Sequence, residues 1–475
     1  MSGLVSDNRT SRSGATVALC SVLLLALVAS GPILRRASRW NSSGSTHLHG
    51  FSLGPTPTCG KLDNGKSQMP PNWESFGPPS IGHGYVDPLF GCTIVRLTDA
   101  AIAGIAEHHY YATLSPMSAD DSKILISEND GNWIIVDPKG NIVVPVSHMP
   151  NRNDGVLLWD ASSGNTFYFT HGNSIQRGTI TGDKVHVSTV HSFQEYRIVV
   201  FPDKTDLSVD GQSFAMWAGH TTETGALDIF TYNMKTDTKR PPYTTHCSQI
   251  VPYIQGSCVH AIAQTADDNV IIGFAQDGTC DECGDRLWDG QKLTKVQNNT
   301  NHFDTGLDLR DRSVFVELGG PTTLPGERNP CRSGWGLDVR QLYDLSLATC
   351  LMDKQPDSHI SYRGGPSQPW VAVSFYDSRK KGPEFFNNDP NFQRPTGSNW
   401  HLYEDEIVLA RIDGTALYRL ADARSRSAEG YWAEPRAAIS RDGRYVIFDS
   451  DMAYAKEGCP ASLADCTDVY LIKVR

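Results

Sequence analysis

Apolar residues along this chain come in short runs, about four to six positions long, separated by polar turns carrying Asp, Gly, Ser and Asn. Ser115-Pro116-Met117-Ser118-Ala119-Asp120-Asp121-Ser122 leads into Lys123-Ile124-Leu125-Ile126-Ser127. Trp133-Ile134-Ile135-Val136-Asp137 follows and ends in a Pro138-Lys139-Gly140-Asn141 turn. The same grammar returns at Val209-Asp210-Gly211-Gln212 before Ser213 to Trp217, with Leu227-Asp228-Ile229-Phe230-Thr231-Tyr232 after it. It returns again at Glu406 to Arg411 with its Asp413-Gly414 turn, and at Ser440-Arg441-Asp442-Gly443-Arg444 before Tyr445-Val446-Ile447-Phe448. No convincing amphipathic helix separates these strands, which disfavours an α/β fold.

The units begin near residues 109, 157, 203, 260, 302, 359 and 434. A period of roughly 40 to 75 residues in an all-β pattern is the mark of a propeller, each unit being one four-stranded blade. The predicted fold is a seven-bladed β-propeller over residues 90–475. Cys92-Thr93-Ile94-Val95-Arg96-Leu97 precedes the first full unit and is expected to add a strand to the last blade. That pairing closes the ring and removes an exposed edge.

Composition sharpens this picture. The 475 residues are 39% hydrophobic, yet they include 10 Trp, 17 Tyr and 17 Phe beside 42 Gly and 27 Pro, which suits many short strands with aromatics packed between blades. A formal net charge of −11 with no basic stripe argues against nucleic-acid binding. Residues 1–34 hold Arg9 and Arg12 before an apolar run from Ala15, and are expected to be a cleaved export signal or, since Arg35 and Arg36 follow Leu34, a signal anchor. Only the anchor would tie the protein to a membrane. Residues 35–89 are rich in Ser, Gly, Pro and Asn and read as an arm or linker.

One of the eleven cysteines, Cys20, lies in the apolar run. The other ten fall in neighbouring pairs: Cys59 and Cys92, Cys247 and Cys258, Cys280 and Cys283, Cys331 and Cys350, Cys459 and Cys466. In an exported chain these read as loop-closing disulfides, which places the protein in the periplasm, at the cell surface or in the medium. The alternatives for Cys280-Asp-Glu-Cys283 are a zinc site shared with Cys247 and Cys258, or a redox motif.

The starts of the units carry an unusual density of titratable groups: His108-His109-Tyr110-Tyr111, His260, His302 with Asp304, His359, and Glu434-Pro435-Arg436. In a propeller the segments entering the first strands converge on one mouth of the central channel. Residues far apart in sequence thus become neighbours. They form either a functional cluster or a set of structural polar residues lining a wet channel. Gly-x-Ser-x-Gly, P-loop and His-Glu-x-x-His patterns are absent from the sequence.

His302 to Gly319, His359-Ile360-Ser361 with Trp370 to Ser374, and Glu434-Pro435-Arg436 before Ser440 to Arg444 resemble blades of exported bacterial propellers. These are the TolB-like propellers and the propeller-type polysaccharide lyases, the oligogalacturonate and ulvan lyases. The resemblance implies β-elimination on a uronate-containing polysaccharide: a cation neutralises the substrate carboxylate, a base removes the adjacent proton, and an acid protonates the departing oxygen. Under it, His302 and His359 are candidates for base or metal ligand, His260 and Asp304 for further ligands of a divalent Ca, Mn or Zn ion. Tyr110 or Tyr111 would be the proton donor, and Arg363 and Arg436 would pair with the carboxylate. His109 and Glu434 would contact substrate or orient an imidazole. The expected partner is an acidic polysaccharide or cell-envelope component, and the expected state a monomer. The competing readings are a non-catalytic propeller that binds a glycan, a peptide or a cell-envelope partner, and a hydrolase on the same scaffold.

Overall fold

The computed structural model describes residues 54–475 except 74, 130, 154, 203, 221–226, 246–257, 320–329, 334–335, 354–357, 377–395, 397, 426–430 and 454–465. Residues 1–34, with the expected signal or anchor, and Cys247 and Cys459 lie outside the described residues. Among the described residues no helix is long and apolar enough to cross a membrane.

Seven small antiparallel sheets form a β-propeller. The first strands of the blades are Glu107–His108, Leu158–Trp159, Tyr196–Val200, Val259–Gln264, Phe303–Leu307, Ser358–Ser361 and Ala438–Ile439. Six of the seven begin within a few residues of the expected starts. The third begins earlier than residue 203, because it is Tyr196–Val200 that pairs with Ser213–His220.

One piece of side-chain chemistry sets the turn between first and second strands. Ser118, Ser208 and Ser440 donate from Oγ to Asp120, Asp210 and Asp442 at 2.8, 2.6 and 2.9 Å. Each Oγ also accepts the backbone amide five residues on, from Lys123, Ser213 and Tyr445, at 3.1, 3.0 and 3.0 Å. The fourth residue of these turns, Asp121, Gly211 or Gly443, has φ of 57°, 71° or 74°, a left-handed geometry that Gly and Asp tolerate. Ser-x-Asp-(Asp/Gly) is thus a turn signal with a mechanism.

Thr93–Arg96 joins the last blade, where Ile94 lies opposite Ile472 on Asp468–Lys473, and the ring is closed as expected. The Ser/Gly/Pro-rich arm adds two further strands. Lys61–Leu62 extends blade 6 along Leu417–Asp422, and Gly84–Val86 extends blade 7 along Thr93–Arg96. Between blades 1 to 3 the core is aromatic, with Trp133, Trp159, Phe167, Phe169, Phe214 and Phe230 buried together. The blade 5 and 6 core is largely aliphatic, built on Val314, Val316, Val339, Val371 and Val373.

Cys59–Cys92, Cys280–Cys283 and Cys331–Cys350 are disulfides, and Cys258 and Cys466 are also disulfide-bonded. This removes the zinc alternative, since a bridged sulfur is no thiolate ligand. The bonds are compatible with an extracellular location. Cys59–Cys92 closes a loop of 33 residues that staples the blade 6 edge to the closing strand. Replacing both cysteines by serine is expected to lower stability by about 3 kcal/mol, read as an earlier urea midpoint under non-reducing conditions.

Candidate functional site

Each first strand starts at the same face of the ring, so the polar residues at those starts share one mouth. His302, just before Phe303, and His359, inside Ser358–Ser361, meet there with ring centroids 4.4 Å apart and planes 17° from parallel. Nδ1 of His302 is 2.7 Å from the carbonyl oxygen of Ser358. Only a protonated Nδ1 satisfies that contact, so Nε2 holds the lone pair. Tyr111 meets both rings edge-on, at 5.5 Å from His359 and 6.4 Å from His302. Tyr376 stacks on His359 at 5.5 Å.

A narrow recess opens beside this pair, lined by Tyr111, Lys204, Asn301 and the three imidazoles of His260, His302 and His359. Lys204 Nζ lies 3.0 Å from Nε2 of His260 and 5.4 Å above the Tyr111 ring. None of the described lining residues is acidic, in a chain of net charge −11. Burial, then the Lys204 ammonium, push His302 down to about 4; burial, then His302 and Arg436, hold His359 well below the ordinary histidine range. Both rings are therefore neutral at pH 7.

The depression also carries a stability consequence. His302 is protonated below about 6.5 in the unfolded chain and only near 4 in the folded one, so its contribution is present above 6.5 and fades as pH falls toward 4. His302→Asn, whose amide can still donate to Ser358, is expected to lose less stability than the native chain between pH 7.5 and 4.5. Paired urea titrations at the two pH values measure the difference.

Beside the pair, Glu434 Oε2 lies 3.7 Å from His359 Nε2 and 3.6 Å from Nη2 of Arg436. Arg436 sits 4.7 Å over the Trp432 ring, against which His108 stacks at 3.8 Å. His109 takes a different partner. Its Nδ1 is 2.9 Å from Asp449 Oδ1, both side chains being fully buried, and its backbone amide donates to the same oxygen at 3.1 Å.

Three expected members, Arg363, Asp304 and Tyr110, stand elsewhere. Arg363 is buried deeper in the channel, 2.8 Å from Asp304 Oδ1 and 3.9 Å from Asp206, and donates to the Thr113 carbonyl at 3.0 Å. Arg441 reaches the other Asp206 oxygen at 2.8 Å, and the Ser115 amide donates to Asp206 at 2.8 Å. Arg363 and Asp304 thus neutralise each other and link the neighbouring blades 5 and 6. Burial still pushes the Asp304 carboxyl up to about 7 against the pull of Arg363. Tyr110, with φ of 85°, turns to stack on Trp133 at 5.3 Å, leaving the imidazole pair to Tyr111.

The ligand set for a metal is present in kind. Among the described residues, His359 Nδ1 and His109 Nε2 are buried without a hydrogen-bond partner, and an imidazole nitrogen left open in this way is of the type that ligates a divalent ion. Among the described residues, however, the one His/Cys/Asp/Glu trio with all ligand atoms within 4.8 Å is Cys331, Cys350 and Asp353. Two of those sulfurs are bonded to each other, so it is not a metal site. Asp304 lies with Arg363, away from the imidazole pair.

Sequence reasoning missed Lys204, Asp449 and Trp432. Asp449 is the penultimate residue of an ordinary apolar strand, Tyr445–Ser450, and Lys204 lies in the loop between Tyr196–Val200 and the Ser208 turn, where no pattern marks it. Asp449 alone had a legible signal, being a carboxylate at a strand end in the blade that receives the closing strand.

No protein-family model matches the chain, and no curated protein does. Solved structures do. One is an oligogalacturonate lyase in complex with manganese, 13% identical with a TM-score of 0.51, covering 84% of this chain and 98% of that one. Another is an oligogalacturonate lyase from Vibrio parahaemolyticus, 10% identical with a TM-score of 0.50, covering 83% of this chain and 96% of that one. TolB from Acinetobacter baumannii is 13% identical with a TM-score of 0.32, covering 68% of this chain and 66% of that one. At these identities the likeness is one of fold: the chain shares the seven-bladed propeller architecture of the oligogalacturonate lyases.

Proposed function

We propose that this protein is an exported polysaccharide lyase that cleaves uronate-containing glycans by β-elimination at the channel mouth. One observation carries the reading: two neutral, stacked imidazoles with a tyrosine edge-on, beside a lysine, in a recess without a described carboxylate. Elimination needs those parts. The uronate carboxylate would face Lys204, which makes the adjacent C–H more acidic, while Arg436, fully buried beside Glu434, stays part of the scaffold. His302, its Nδ1–H held by Ser358, presents Nε2 as the base. Tyr111 is the candidate donor to the departing glycosidic oxygen. Arg363 and Tyr110 take supporting roles in the scaffold.

His359 and Glu434, 3.7 Å apart, would hold a divalent ion such as manganese, calcium or zinc. Such an ion, when bound, supplies Lewis-acid neutralisation of the same carboxylate. Proton movement rests on His302 and Tyr111.

The test is a panel of uronate polysaccharides and oligomers incubated with the folded, disulfide-bonded protein, with and without Mn²⁺, Ca²⁺ or Zn²⁺. The expected result is an absorbance rise near 235 nm from unsaturated products. Silence across the panel, with binding retained, would establish the non-catalytic glycan-binding propeller instead.

A pH profile gives an independent check. The acid limb of kcat/KM should fall near pH 4, where free His302 protonates. A bound carboxylate favours the imidazolium, so the acid limb of kcat should lie at higher pH. Superimposed limbs would remove the anion from beside His302.

A further inference from the structure

A second cavity lies on blade 1, next to blade 2, with about 820 Å³ of empty space and no part in the chemistry above. Its walls are the turn before Trp133–Val136 and the loop joining blades 1 and 2. The described lining residues include Asn132, Trp133, Met149, Pro150, Asn151 and Asn153.

Arg152 builds this cavity. Its Nη2 donates to the Gly131 carbonyl at 2.9 Å, and Nη1 donates to the carbonyls of Asn153 at 3.0 Å and Gly155 at 2.5 Å, which ties the two walls together. Asn153 is pinned in turn. Its Nδ2 donates to Gly172 and Val199 at 2.8 and 3.0 Å, and its Oδ1 accepts the Gly172 amide at 2.9 Å. The cavity is therefore pre-formed, which lowers the entropy lost on binding.

An aromatic path connects it to the imidazole pair. Arg152 lies 5.4 Å over Trp133, Trp133 stacks on Tyr110 at 5.3 Å, and Tyr110 is 5.8 Å from Trp432. Trp432 carries Arg436, whose partner Glu434 reaches His359. Trp133 is 3% exposed, and its indole N–H has no hydrogen-bond partner among the described residues although the residue lines the cavity.

We propose that this cavity is a distal subsite for sugar rings of the same glycan whose linkage is cleaved at the recess; the identity of the glycan rests on the lyase reading. Its chemistry favours a pyranose over an acyl chain. Carboxamides at the exposed Asn132 and Asn151 both donate and accept, as ring hydroxyls require, while the half-buried Met149 and Pro150 supply apolar contact for ring C–H faces.

The test uses the full chain, calorimetry, and oligogalacturonates of two, four and six units. Affinity for the native protein should rise at least about tenfold from the dimer to the hexamer. Asn151 is exposed and lines the cavity, so Asn151→Trp should fill it without unfolding. That variant should lose the length-dependent gain and bind the dimer as the native protein does. Asn151→Ala, which leaves the cavity open, should keep most of the gain. A gain that survives filling overturns the proposal, as does an affinity independent of length or no binding of any oligomer. Absorbance at 235 nm in the same samples is read separately. Length-dependent binding with no absorbance rise sinks the lyase and leaves the subsite standing; cleavage unaffected by Asn151→Trp at every length does the reverse.

Discussion

Eliminase activity should fall by about a hundredfold to ten-thousandfold in His302→Asn, with the melting temperature close to native, because general-base catalysis contributes factors of that size. The asparagine amide can replace Nδ1–H as the donor to Ser358, so the loop keeps its anchor. What disappears is Nε2, the lone pair that faces the recess. Steady-state absorbance at 235 nm gives the rate, and a thermal melt gives the control. If kcat holds within a factor of about two, His302 is structural and the base lies elsewhere. The next residue to test would be His109, whose tautomer is fixed by Asp449. His359 is a poorer first choice: it is 1% exposed and packs against His302, Tyr111 and Tyr376, so its truncation disturbs packing as well as chemistry.

The second large effect is on stability. Arg363→Met should destabilise the propeller by about 3–5 kcal/mol, since the change strands buried charge where a guanidinium had compensated it. Asp304 is fully buried and would keep only backbone amides, those of Thr305 at 2.8 Å and Tyr362 at 2.7 Å. The second substitution Asp304→Asn in the same chain should return about 2 kcal/mol by removing the stranded charge. The pH dependence has a definite sign. The folded-state carboxyl already titrates near 7, above its unfolded 3.8, so folding binds a proton between those values and stability falls as pH rises through them. Loss of Arg363 raises the folded value further. The deficit of Arg363→Met relative to native should therefore be smaller at pH 5 than at pH 8, measured by urea unfolding. An equal deficit at both would mean that Asp304 is compensated by another cation.

Much of this architecture is legible in the sequence, for an identifiable reason. Ser-x-Asp-(Asp/Gly) repeats because Oγ and the carboxylate hold a left-handed residue in place, and that need recurs in blades 1, 3 and 7. Strands without such a turn are harder to see. Lys61–Leu62 and Gly84–Val86 are two and three residues long and lie on outer edges with no face to bury, so no alternation marks them. The convergence of His302 and His359 follows from their common place at blade starts. Which of Tyr110 and Tyr111 joins them does not follow, since a positive φ at Tyr110 breaks the alternation of side chains. Arg363 looks like a carboxylate receptor by residue type. Its carboxylate turned out to be internal, because the register that brings His302 to the mouth also sets Asp304 deeper in the channel, and no local pattern announces that contact.

The closing strand also sets an order of events. Thr58 Oγ1 hydrogen-bonds to the Val474 carbonyl across 416 positions, and Thr93–Arg96 can find its ladder only after Asp468–Lys473 has been made. A chain emerging from the ribosome, or threading through an export channel, can pair that early strand only with the short Gly84–Val86, and its other edge stays open until nearly all seven blades exist. Contacts this distant in sequence form slowly. During the wait Ile94 is an unprotected apolar residue, and the open blade is an invitation to pair with another nascent chain. Yield on refolding should accordingly depend on protein concentration more steeply than the stability of the finished ring would suggest.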